Sequence, residues 1–227
     1  MNVKQSNFRS LASQFRRDYF IVSIVPILLL FVFMIVGAKV TRDYLADLIV
    51  RSTADLNHEA EHNLQVLGER IILTKARDVA KQLEIYFRMY PDKTIEEMRD
   101  DPVFMDIAIQ KVGETGYTAV TEAHTYLFRV HPNSKLNDRD MRFLAKQMPT
   151  WWKIIEKAID GDETVGYYDW LEPDGSVRQK FLATTPVSIP LHGITIMASA
   201  TTYIDEFSEP VKDMKLEAEK IVHLYQR

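Results

Sequence analysis

Three rhythms of apolar and polar residues divide this chain, and each predicts a different kind of element. From Phe20 to Ala38 the run FIVSIVPILLLFVFMIVGA contains no charged residue. As a helix it reaches about 28 Å, close to the hydrocarbon thickness of a bilayer. A helix apolar on every side for that length predicts a membrane span over residues 19–38. Pro26 falls inside it, which membrane helices tolerate.

The second rhythm repeats at threes and fours. Between Lys39 and Tyr90 there is no proline, and the only glycine is Gly68. Leu45, Ile49, Leu56, Ala60, Leu64, Leu67 and Ile71 share one helical face, and Val79, Leu83, Tyr86, Phe87 and Tyr90 carry it onward. A single stalk helix over 39–90 is expected. Its first part would pair with a partner helix, making a homodimer across a seam interrupted at Ser52, and its last part would pack on a domain.

The third rhythm alternates. GYYDW (166–170) and VRQKFLATT (177–185) both read as half-buried strands, joined at Glu172-Pro173-Asp174-Gly175 by a tight turn. Further strands are expected over Tyr117–Thr121, Thr125–Val130 and Gly193–Tyr203. Short helices precede them. Thr94 and Glu97 form a capping-box pair, and Asp101-Pro102 opens PVFMDIAIQKV, which Gly113 closes. Between the strands a helix is expected from about Asp138, and another, WWKIIEKAID, capped by Thr150. Asp205-Glu206-Phe207 ends the domain. After Pro210 an exit helix over 208–227 carries Val211, Met214, Ala218, Ile221, Val222 and Tyr225 on one face. The sum is an α+β chain: a five-stranded antiparallel sheet with a long N-terminal helix, preceded by one transmembrane helix.

Charge orients the span. Lys4, Arg9, Arg16 and Arg17 stand before it against the single acid Asp18, so residues 1–18 are expected in the cytoplasm and everything after Ala38 outside. No second apolar span follows, which leaves either a piece of a larger receptor or a tethered sensor whose output needs a partner. The net charge is −4, with neither a basic stripe nor a nucleic-acid motif, so no nucleic-acid partner is expected. The absence of cysteine excludes thiol catalysis and cysteine-ligated metals.

One motif names a definite chemistry. His58-Glu59-Ala60-Glu61-His62 matches HExxH, which in zinc hydrolases sets two imidazoles one turn apart with a glutamate as base. No Gly-x-x-His follows, and Glu84 as third ligand would stand about 33 Å farther along the same helix. A solvated stalk is the preferred reading, with no catalytic residue, metal or cofactor expected. Nucleophile elbows, P-loops and dinucleotide fingerprints are missing too.

The segments GETGYTAV, FRVHPN, PTWWKIIEKAIDGDETVGYYDW, EPDGSVRQKF and ATTYIDEF occur in this order. Together they resemble the single Cache domains of bacterial transmembrane histidine kinases, chemoreceptors and cyclic-dinucleotide enzymes, over about residues 39–207. Family members usually follow HPN with a hydrophobic, glycine-bearing segment; here residues 134–142 read SKLNDRDMR. The resemblance implies a PAS-like extracytoplasmic sensor over 91–207, set in the inner membrane by a single pass. It would bind a small metabolite such as a carboxylate or amino acid and signal to a cytoplasmic output domain or partner.

For such a ligand, an aromatic wall with a few cations is the needed chemistry. Alternation sets Tyr168 and Trp170 apart from Tyr167, and Arg178, Lys180 and Thr184 apart from Phe181 and Ala183. Arg129 and His131 should share a face against Phe128 and Val130. The candidate ligand-binding set is therefore Arg129, His131, Trp151, Trp152, Tyr168, Trp170, Lys180 and Thr184. An anchored envelope protein that uses the domain to bind another protein is the alternative from a different class.

Overall fold

The computed structural model describes residues 3–209, 211, 214–217 and 220, with side chains from Ser13 onward. The chain divides into two units, between Asn57 and His58 and again between Met214 and Lys215. Helix α1 (Val3–Met89) contributes to both, with Pro26 inside it. In the first unit, the apolar run on α1 is exposed along its length and is long and apolar enough to cross a membrane. Lys4 and Arg9, used above to orient it, have side chains outside those described.

The second unit is α+β, built on an antiparallel sheet of six strands. They are β1 (Lys111–Val112), β2 (Gly116–Glu122), β3 (Leu127–Val130), β4 (Thr164–Leu171), β5 (Val177–Pro186) and β6 (Ile196–Tyr203). The order is β1-β2-β6-β5-β4, with β3 also pairing with β2. Five strands were expected, and β1 is the addition, taken from the end of a predicted helix. That helix, α3 (Pro102–Ala108), has the expected Asp101 cap and Pro102 at its first turn, but stops before Ile109. There the chain turns extended, and Thr118 takes over both Gln110 backbone groups: its N–H donates to the Gln110 carbonyl and its hydroxyl accepts from the Gln110 N–H. Glu206, from the far end of the domain, accepts from the Glu114 N–H and fixes the β1–β2 turn. This long-range tie outweighs local helix preference.

Residues 72–87 of α1 cover one face of the sheet. Val79, Leu83, Tyr86 and Phe87 are buried there with Phe104, Val120, Ile196 and Ala198, and Ile72 and Ala76 with Phe181, Ala183 and Ala200. Each fully buried side chain of this kind stabilises by roughly 1.5–3 kcal/mol. The capping box is present in α2 (Ile95–Met98), where Thr94 and Glu97 exchange hydrogen bonds. The turn 172–175 also forms as read: the Gly175 N–H donates to the Glu172 carbonyl, and Gly175 takes φ +85°.

Helix α4 (Pro149–Ala158) covers the other face through Trp151, Ile154 and Ile155. Pro149, not Thr150, opens it, and its N-cap Met148 makes no side-chain cap. The Thr150 hydroxyl instead accepts from the Asp169 N–H on β4. The helix expected from about Asp138 is replaced by two 3-10 turns, Ser134–Leu136 and Met141–Leu144. β3 and Tyr126 just before it capture the backbone here: the Asp138 N–H donates to the Phe128 carbonyl and the Met141 N–H to the Tyr126 carbonyl.

After β6, a 3-10 turn (Ile204–Phe207) brings Phe207 against Gly68 of α1, where a Cβ would stand 2.5 Å from the ring. The described residues of the expected exit helix that follow, 209, 211, 214–217 and 220, are helical. Ala218, Ile221, Val222 and Tyr225 of its apolar face lie outside the described residues.

Candidate functional site

A cavity of about 290 Å³ lies between the second face of the sheet and its cover. The strand registers explain which side chains reach it. Tyr117 pairs with Thr201, and Ala119 with Ser199, so β2 and β6 offer a ring and two hydroxyls on one face. Leu182 pairs with Thr201, and Tyr168 with Lys180, which continues the same face onto β5 and β4. Trp170 and Phe128 close two sides, and Trp151 and Ile155 descend from α4. The segment from His131 to Met148 adds to the cover and contributes Asn133, Leu136 and Leu144.

The polar groups are ordered among themselves. Thr201 donates to the Phe181 carbonyl at 2.9 Å. Its single proton is thereby used, so in the 2.8 Å contact between Tyr168 and Thr201 the phenol is the donor. Ser199 donates to Thr184 at 3.1 Å. Burial pushes the Tyr117 and Tyr168 phenols up, away from ionisation. His131 accepts the Asn133 N–H on Nδ1, and its ring stands edge-on to Tyr117 and Phe128. Burial lowers its pKa to about 4, so the imidazole is neutral, with its proton on Nε2.

Four of the eight candidate residues, His131, Trp151, Tyr168 and Trp170, line this cavity. Lys180 lies on the same face but outside the lining. Its ammonium sits over the rings of Tyr203 (4.2 Å) and Trp170 (4.5 Å), with Tyr117 at 5.9 Å, and burial lowers its pKa. Thr184 is buried one row beyond, engaged with Ser199. Trp152 turns aside to stack on Tyr126 at 5.2 Å.

Arg129 is not at the cavity. Val120 pairs with Val130 and Thr121 with Phe128, leaving Arg129 as the extra residue of a bulge. Parity flips across it. Phe128 and His131 reach the cavity, whereas Val130 joins the core under α1. The Arg129 guanidinium instead meets Glu96 (2.7 Å) and Asp138 (2.9 Å), while Arg99 reaches Asp138 at 2.7 Å. Its Nε is 3.2 Å from the buried Glu122 carboxylate, off the line of a hydrogen bond. This cluster ties α2, the sheet and the cavity's cover together.

Sequence reading missed Tyr117, Ser199 and Thr201. The signal for the two hydroxyls was legible: Ser199 and Thr201 alternate with Ala198, Ala200 and Thr202, placing small hydroxyls on one face of a buried strand. At the HExxH pattern, His58 and His62 are on α1, and no group of three or more His, Asp or Glu able to hold a metal occurs among the described residues. No protein-family model matches the chain, and no curated protein matches it.

Proposed function

We propose that this chain is a membrane-anchored sensor without catalytic activity, whose second unit binds a small metabolite and relays occupancy through its membrane-proximal helices. The cavity carries this reading. Its walls come from four aromatic-bearing elements, β2, β3, β4 and α4, and its volume suits a small organic molecule. Helix α1, which covers the sheet's opposite face, also carries the run apolar enough to cross a membrane. This pairing of features, with the motif order noted above, supports a Cache-like, PAS-like assignment.

In this reading the N-terminus is cytoplasmic, the sensor domain lies outside the inner membrane, and the working form is a homodimer. A cytoplasmic output domain or partner would receive the signal. Ligand would act by binding one arrangement of the helices more tightly than another. Thermal-shift screening of the full chain in detergent, against organic acids, amino acids and uncharged ring compounds, tests the proposal. Stabilisation by a discrete set of ligands, lost in Trp151→Ala, is expected. A flat response to every compound, with a stoichiometric protein partner co-purifying, would replace the sensor with an anchored interaction module.

A further inference from the structure

We infer that the ligand of this cavity is an uncharged, ring-bearing molecule that presents a hydrogen-bond acceptor to the His131–Tyr117 end. This rests on the proposed function and narrows it, since that reading leaves the charge of the metabolite open. None of the residues lining the cavity is Asp, Glu, Lys or Arg. Its titratable members are held neutral: His131 by a lowered pKa, Tyr117 and Tyr168 by raised ones, with burial the leading cause in each. A charged guest would leave its hydration shell and meet no opposite charge in the wall, which is the costly way to bury an ion.

Of the two cations that a carboxylate ligand would need, one is paired elsewhere and the other is packed behind rings of the wall. Arg129 is drawn off to Glu96 and Asp138. Lys180 is absent from the lining, and its ammonium rests on ring faces. A zwitterionic amino acid would fare worse, because no carboxylate in the wall faces its ammonium. What the wall does supply is flat surface and donors. Phe128 and Trp151 stack 21° from parallel, and the His131 imidazole, protonated on Nε2, stands edge-on to the Tyr117 ring with centroids 5.1 Å apart. A carbonyl or ring nitrogen satisfies such donors, and an aromatic body packs against such rings.

The test is a charge series at constant shape: benzamide, benzoate and benzamidinium, titrated into the full chain in detergent at pH 7.5. Quenching of intrinsic tryptophan fluorescence reads the binding, since Trp151 and Trp170 line the cavity. Benzamide is expected to bind at least about tenfold more tightly than either ion. His131→Phe, which keeps a ring and removes the donor, should weaken benzamide by about fivefold to tenfold. Ala119→Leu, which fills the cavity, should abolish binding. Benzoate binding as tightly as benzamide, with Lys180→Met removing it, would overturn the inference while leaving a sensor of anions in place. Binding of none of the three also overturns it, and the proposed function then stands or falls on the wider thermal-shift screen.

Discussion

Thr201 links two buried groups, receiving the Tyr168 phenol and donating to the Phe181 carbonyl. Thr201→Val keeps the shape and removes both bonds, so a loss of about 1–3 kcal/mol in urea unfolding is expected. Tyr168→Phe deletes only the donor and should cost about 0.5–1.5 kcal/mol. His131 sets a pH dependence. Its imidazole titrates near 4 in the folded chain and at about 6.5 when unfolded. Between these values the unfolded chain holds a proton that the folded chain does not. The stability it contributes is therefore complete above about pH 6.5 and is lost as pH falls toward 4. His131→Phe should flatten that part of the melting-temperature profile. An unchanged slope between pH 6.5 and 4.5 would show that other groups govern it.

Among the elements, those governed by neighbours in the chain were legible in the sequence. The Thr94–Glu97 capping box, the Asp101-Pro102 helix start and the 172–175 turn each depend on residues within one turn of one another. Alternation on β4 and β5 was legible for the same reason, and it placed Tyr168, Trp170 and Lys180 on one face, as the register has them. What escaped was decided by distant partners: β1 by Thr118 and Glu206, the cover turns by β3, and the parity of His131 by a bulge at Arg129. That bulge makes Arg129 a tie of elements. Arg129→Met should leave the buried Glu122 without its cation and cost no more than about 3 kcal/mol. It should also speed hydrogen exchange at the Asp138 and Met141 amides, which bind the cover to β3. Unaltered exchange at those two amides would mean that the backbone bonds hold the cover without the ion cluster.

For the whole molecule, the apolar run and the sheet unit make separate demands on one helix. In the run, Leu29 is exposed, and none of the described residues covers it. Leu29→Arg should therefore leave the fold of the sheet unit unchanged while reducing membrane retention, at a cost of about 2.5–3.5 kcal/mol for a charge at mid-bilayer. Carbonate extraction of membranes, read beside the circular dichroism of purified protein, separates these two effects. On the sheet side, Leu83 is fully buried, and Leu83→Ala should cost about 2–5 kcal/mol without affecting retention.

The contact between Phe207 and Gly68 gives the sheet unit an unusual economy of connection. The turn that leaves the last strand presses its ring into the notch that Gly68 leaves on the first helix. The way in and the way out of the unit thus meet at this contact. Any side chain introduced at position 68 would have to push that ring, and the end of the last strand with it, off the helix.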